Sequence, residues 1–180
     1  MSLFDKECID NVKEDDSKSI LELGNRLFNR KEYEEAIEYY RLSSAMGNAE
    51  AVTKIGCLYY YGIGVEQDYS IARAYFKIGV LHEDINSLYR LGDLYINGYG
   101  VEKDERKGIE YYIEAYNLIK ASEDVENYPD ILLRLGVVFM EGRLLKQDLN
   151  MAENFLEIAK NGYEERMNND DIFSNKFYKE

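Results

Sequence analysis

The stretch "GIGVEQD", residues 62–68, is written almost unchanged as "GYGVEKD" at residues 98–104. A phrase copied 36 positions on belongs to a structural unit that recurs, since a catalytic loop has no reason to be duplicated at an interval. The match extends on both sides. Sliding residues 55–79 onto 91–115 puts Gly56 on Gly92, Leu58 on Leu94, Tyr59 on Tyr95, Gly62 on Gly98 and Gly64 on Gly100. Val65 then meets Val101, Asp68 meets Asp104, Ala72 meets Gly108 and Tyr75 meets Tyr111. A third copy, another 44 positions on, reads "LGVVFMEGRLLKQDLNMAENFLEIA" and keeps Gly136, Gly142, Asp148, Ala152, Phe155 and Ala159. Self-similarity at a period of roughly 20–50 residues marks a solenoid of stacked units.

Each copy resolves into two helices. The first carries apolar residues three and four apart, such as Leu88, Leu91, Leu94 and Tyr95, which makes one buried stripe. Gly62 and Gly98 stand where that helix must stop in a left-handed turn, a conformation that costs glycine no Cβ clash. Asp68 and Asp104 stand where the next helix starts, and their carboxylates suit its free amides and the positive end of its dipole. Ala72, Gly108 and Ala152 are small enough to let the second helix approach the first. Tyr75, Tyr111 and Phe155, three residues on, are expected to fill the space beside that contact. The quoted phrase therefore reads as stop, tight connection and start. A phosphate-cradling loop would need a strand before it and open amides after it; here a helix precedes and an aspartate takes the anion's place.

Composition agrees. One proline in 180 residues (Pro129) argues against a β-sandwich, which needs turn residues at short intervals, so the class is all-α. A net charge of −13 repels nucleic acid, and no basic patch offsets it; it favours a basic protein partner instead. Cys8 and Cys57 are too few for a disulfide framework, which points to reduced thiols. "MSLFDKECIDNVKEDD" has acids where a signal peptide is basic, and Arg134 interrupts even "ILLRLGVVFM", so no membrane association and a cytoplasmic setting are expected.

The paired glycines, the following valine and the helix-opening aspartate resemble the Sel-one-like repeat, a relative of the tetratricopeptide repeat. The first unit, "LGNRLFNRKEYEEAIEYYRLS", resembles the tetratricopeptide form itself through Gly24, Phe28, Tyr33, Ala36 and Tyr40. The resemblance implies about four antiparallel helix pairs in a right-handed α-α superhelix whose concave face holds other proteins. Its units fall near 17–48, 49–84, 85–127 and 128–162, with 1–16 and 163–180 as caps or tails. Leu3, Phe4, Cys8, Ile9 and Val12 have the spacing of an N-terminal capping helix. Past Gly162, Ile172, Phe173 and Phe177 suit a second cap, a frayed tail or a segment that docks on another chain. Lys31 stands where the tetratricopeptide form prefers glycine, so strain on the order of 1 kcal/mol is expected there. Leu144 replaces the second glycine of the fourth unit. The extra residues around "KASEDVENYPD" either lengthen the preceding helix or form an acidic loop.

In such an array the first helix of each pair lines the inner surface. Counting from the fixed glycine (Gly24, Gly56, Gly92, Gly136), the inward positions are three before it and one, four and five after it. They read Leu21, Asn25, Phe28, Asn29; Thr53, Cys57, Tyr60, Tyr61; Tyr89, Asp93, Ile96, Asn97; and Leu133, Val137, Met140, Glu141. Rings supply contact area and amides can bond an extended backbone, so Asn25, Asn29, Thr53, Cys57, Tyr60, Tyr61, Tyr89, Asp93, Ile96, Asn97, Val137, Met140 and Glu141 are the candidate partner contacts. Equally, any of them can pack between helices. The lysine–asparagine clamp that grips a C-terminal carboxylate in tetratricopeptide grooves is incomplete: Asn25 is present, but Leu21, Thr53, Tyr89 and Leu133 hold the lysine positions. His82 with Cys57 makes neither a metal set nor an oriented dyad. No enzyme, cofactor or metal is expected. The alternative to a partner-binding adaptor is a structural protein that stacks on a second copy; a remote third is a hydrolase, for which nothing in the sequence supplies a nucleophile and base.

Overall fold

The computed structural model describes residues 17–122, 125–142 and 145–168. The expected N-terminal cap, residues 169–180 and Leu144 lie outside the described residues. Within them stand eight α-helices, one 3-10 turn and no strand. They are α1 (Ser17–Asn29), α2 (Tyr33–Ala45), α3 (Ala49–Tyr61), α4 (Tyr69–Leu81), α5 (Ile85–Asn97), α6 (Glu105–Ala121), the turn Val125–Asn127, α7 (Pro129–Glu141) and α8 (Leu149–Asn168).

The chain forms two compact units that divide after Asp84. In the first, α1 packs on α2 and α3 on α4, and α2 against α3 joins the two hairpins. In the second, α5 packs on α6 and α7 on α8, and α6 against α7 joins them. The stripes expected from periodicity form these contacts: Leu88, Leu91, Leu94 and Tyr95 are all buried in the second unit, and Val52, Ile55 and Leu58 in the first.

The repeated phrase folds as a fixed piece of backbone. Gly62, Gly98 and Gly142 end their helices at φ +66°, +72° and +67°, and Gly64 and Gly100 are left-handed as well. The amides of Asp68, Asp104 and Asp148 donate back to the carbonyls of Tyr59, Tyr95 and Phe139 across the connection. Each carboxylate then caps the helix it opens: Asp68 accepts from the amides of Ser70 and Ile71, Asp104 from Lys107 and Asp148 from Met151. Gln67 and Gln147 lash the loop further, their Nε2 groups donating to the carbonyls of Tyr60 and Met140 at 2.8 Å.

The fixed glycine of each first helix exists to admit a side chain from the second. A Cβ on Gly24, Gly56 or Gly92 would come within 2.6, 2.6 and 2.3 Å of the rings of Tyr40, Phe76 and Tyr112, and one on Gly136 within 2.8 Å of Leu156. The residue that closes the contact lies four past the small position. Tyr75 and Tyr111, three past it, sit beside it as expected, stacked on Tyr59 and Tyr95 at ring separations of 6.1 and 5.8 Å. The helical turn explains the offset, because i+4 lies almost directly above i on one face whereas i+3 is rotated off it.

Helix α6 has 17 residues where α4 has 13, so part of the extra sequence before Pro129 adds a turn of helix. The 3-10 turn Val125–Asn127 takes up more of it, and Pro129 begins α7 where its missing N–H costs nothing. Helix α8 runs without a break through Gly162 to Asn168.

Candidate functional site

The sixteen positions counted from the glycines fall on α1, α3, α5 and α7. In the first unit, Tyr60 and Tyr61 end α3 as a half-buried pair of rings, 4.8 Å apart and edge to face. Tyr69, at the start of α4, meets Tyr60 at 5.3 Å, and Phe76 supports it from below at 6.3 Å. The glycine connection places these rings together by bringing the start of α4 back beside the end of α3. Asn29 is exposed at the end of α1, whereas the Oδ1 of Asn25 accepts the Tyr40 hydroxyl proton at 3.0 Å. Thr53 and Cys57 are buried. The Thr53 hydroxyl donates to Oδ1 of Asp84 at 2.7 Å, which ties α3 to the end of the first unit.

In the second unit, Ile96 is half-buried and covers Gly108, and the exposed Asn97 donates from Nδ2 to the Asp93 carbonyl. Val137 is half-buried, and Met140 and Glu141 are exposed at the end of α7. Tyr89 and Asp93 are buried and belong to a network of charges. The Arg134 guanidinium grips the Asp93 carboxylate with two bonds of 2.5 Å, and the Tyr112 hydroxyl donates to the same carboxylate at 2.7 Å. Arg90 approaches Asp93 at 3.6 Å. The Arg90 and Arg134 guanidinium carbons lie 4.9 and 4.8 Å from the centre of the Tyr89 ring. Burial alone would depress the Arg134 guanidinium, yet the Asp93 charge holds it well above its ordinary range. A second carboxylate, Asp130, takes a bond from Arg166 at 2.8 Å and one from the Tyr163 hydroxyl at 3.3 Å.

Of the thirteen candidate contacts, then, Thr53, Cys57, Tyr89 and Asp93 are occupied in holding their own units together. Surface remains at Asn29, Tyr60, Tyr61, Ile96, Asn97, Val137, Met140 and Glu141, and in part at Asn25. The ionic network escaped the sequence reading. Its signal was present in two oppositely charged pairs, Arg90 with Asp93 and Asp130 with Arg134, spaced three and four apart within otherwise apolar helices. No group of three or more potential metal-ligating side chains occurs among the described residues. None of their helices is long and apolar enough to cross a membrane.

Comparison with known proteins gives a consistent match. The Sel1 repeat family matches residues 22–48, 49–80, 85–118 and 130–162. An uncharacterized Sel1-like repeat-containing protein of Schizosaccharomyces pombe is 37% identical over 65 residues, which is 32% of this chain and 10% of that protein. A Sel1 repeat protein from Oxalobacter formigenes superposes with a TM-score of 0.68 at 23% identity, over 79% of this chain and 56% of the other. A protective antigen of uropathogenic Escherichia coli, which displays the same repeat fold, gives 0.70 at 24% identity, over 86% of this chain and 32% of that one. The chain therefore spans only part of the length of each of these relatives.

Proposed function

Because the chain belongs to the Sel1 repeat family, we propose that it is a non-catalytic scaffold that holds a segment of another protein against the faces of its first helices. Repeats of this kind generally serve as protein-interaction scaffolds. The observation that carries the reading here is the ring cluster of Tyr60, Tyr61 and Tyr69. These side chains are neither core nor fully solvated, and they stand at the end of a helix pinned by the glycine connection. Half-exposed tyrosines held rigid by their neighbours give a partner large contact area at small entropic cost. Asn29, exposed at the end of α1, offers an amide to an extended backbone, and Met140 with Glu141 offers an adaptable apolar contact beside a charge in the second unit.

A net charge of −13 favours a basic partner by steering its approach. Cys57 is buried, and with Cys8 as the one other cysteine of the sequence the chain accords with a reducing, cytoplasmic setting.

The test is affinity capture from the native cell with the wild-type chain and with Tyr60→Ala/Tyr61→Ala, each checked for helicity. Tyr89 is left intact because its burial would turn truncation into a stability experiment. Loss of specific partners in the tyrosine variant supports the reading. Identical captured sets remove the first-helix face of the first unit from consideration. A mass that rises with concentration in light scattering favours self-association instead.

A further inference from the structure

The fourth copy departs from the repeat in a way that joins another departure around one cleft, wholly inside the second unit. Helix α6 carries an added turn, and Lys120 sits in it. Where the two earlier copies have Glu66 and Glu102, the fourth has Lys146, a reversal of charge. Both lysines are exposed, and both line a cleft of about 890 Å³ between α6, α7 and α8. The same cleft is lined by Ile113, Phe139, Leu149 and Met151. Leu149 is 60% exposed and Met151 41%, apolar surface that folding of the chain alone leaves in water.

We propose that this cleft docks a segment of another protein that carries a large apolar side chain flanked by carboxylates. The volume is several times that of a single large side chain, so it holds one together with the residues that flank it. Charge selects what surrounds them. Among the described residues, three charged side chains line the cleft: Lys120, Lys146 and Asp148. Two lysines against one carboxylate leave this lining positive, and the Asp148 carboxylate is turned to the Met151 amide at 3.0 Å, where it caps α8. Charges beyond about 8 Å are largely screened at physiological salt, so the acidity of the rest of the chain does not cancel them for a seated ligand. A neutral ligand would gain nothing from these lysines, and a basic segment would be repelled.

Two other occupants have the right chemistry in Asp170, Asp171, Ile172 and Phe173 of this chain. Within one molecule, Phe173 lies five residues past Asn168, a reach of about 18 Å, whereas α8 separates Asn168 from Met151 by about 25 Å, so it falls short of the Leu149 and Met151 end of the cleft. From a second copy the segment would arrive on a body that also carries −13, a repulsion that a short acidic segment of another protein largely avoids. The cleft is built mainly on second helices, so the inference stands apart from the tyrosine face described above.

The experiment titrates the full chain, labelled with ¹³C at Ile, Leu and Met methyls, with the capped hexapeptide Glu-Asp-Phe-Leu-Asp-Glu and its sign-reversed counterpart Lys-Lys-Phe-Leu-Lys-Lys. Saturable shifts at Ile113, Leu149 and Met151 are expected with the acidic peptide, with binding at least tenfold weaker for the basic one. Lys120→Glu/Lys146→Glu should weaken the acidic peptide at least tenfold, and Tyr60→Ala/Tyr61→Ala should leave it unchanged. Absence of saturable shifts at those methyls, or equal response to both peptides, overturns the proposal. So do Leu149 and Met151 signals that move with protein concentration alone (a second copy) or on truncation after Asn168 (the chain's own segment). Loss of binding in the tyrosine variant overturns it as well, because the two surfaces would then not be separate.

Discussion

Lys31 turns the chain between α1 and α2 at φ +67°, in the region that strains a residue with a Cβ. Lys31→Gly should therefore raise stability, by up to about 1 kcal/mol, with urea unfolding as the measure. The added freedom of glycine in the unfolded chain offsets part of that gain. The fixed glycines behave in the opposite sense. In Gly92→Ala the new methyl meets the Tyr112 ring at 2.3 Å and the Gly108 carbonyl at 2.9 Å, so a backbone must move as well as a ring. A loss of about 1–3 kcal/mol is expected. Gly24→Ala should cost less, because its nearest backbone atom is 3.4 Å away and the Tyr40 ring alone must shift. Equal losses in the two variants would mean that ring displacement, not the carbonyl, sets the cost.

At the level of elements, the Arg134–Asp93 pair clamps α7 to α5 inside the second unit. Asp93→Ala takes from the guanidinium its two-bond partner and should cost about 3 kcal/mol, the lower end for such pairs because Asp130 stays 3.8 Å away and the Arg134 side chain keeps 21% exposure. Asp93→Leu/Arg134→Met should recover only part of that loss, since the buried Arg90 guanidinium and Tyr112 hydroxyl still lose the Asp93 carboxylate, and denaturant unfolding of both variants tests the contrast. The helices and their ends were legible in the sequence because glycine, aspartate and apolar spacing act locally. Gly62, Gly98, Asp68 and Asp104 each do what their chemistry dictates within a turn or two. Partners across elements were less so. Tyr75 and Tyr111 were legible beside the glycine contact, but not Phe76 and Tyr112 as the rings that fill it, because one step along a helix rotates a side chain by about 100°. Tyr89 and Asp93 were counted toward the surface because their burial depends on Arg134, 41 positions away from Asp93. The added turn of α6 was undecidable, since "KASEDVENYPD" has neither a glycine stop nor a strong apolar stripe to choose helix over loop.

For the molecule as a whole, alkaline pH is the informative stress. Burial, aided by Glu50, raises the Tyr40 phenol above the usual tyrosine range, and burial with Asp130 does the same for Tyr163. Folded tyrosines thus hold protons that unfolded ones release above about pH 10, so the native state binds more protons there and stability must fall as pH rises. Below that pH the contribution is complete. Tyr40 alone should add a slope of about 1.4 kcal/mol per pH unit, which Tyr40→Phe removes; Tyr163, nearer to solvent, adds less. Urea unfolding between pH 9 and about 11.5 reads the slope, and an alkaline limb unchanged in Tyr40→Phe would contradict the assignment.

The bonds from the Asp68, Asp104 and Asp148 amides back to Tyr59, Tyr95 and Phe139 carry a consequence for where this chain tolerates growth. They close each hairpin into a ring of set circumference, so inserted residues would break a covalent spacing that three carbonyls depend on. The joint between one hairpin and the next is closed where it is short, the Asn48 amide donating to the Ser43 carbonyl at 3.2 Å, whereas among the described residues no backbone bond spans the joint from α6 to α7. The joint is three residues long between α2 and α3 and seven between α6 and α7. A tag or a foreign loop grafted at that longer joint should leave the helices on either side intact, whereas the same graft at residues 62–68 should undo a hairpin.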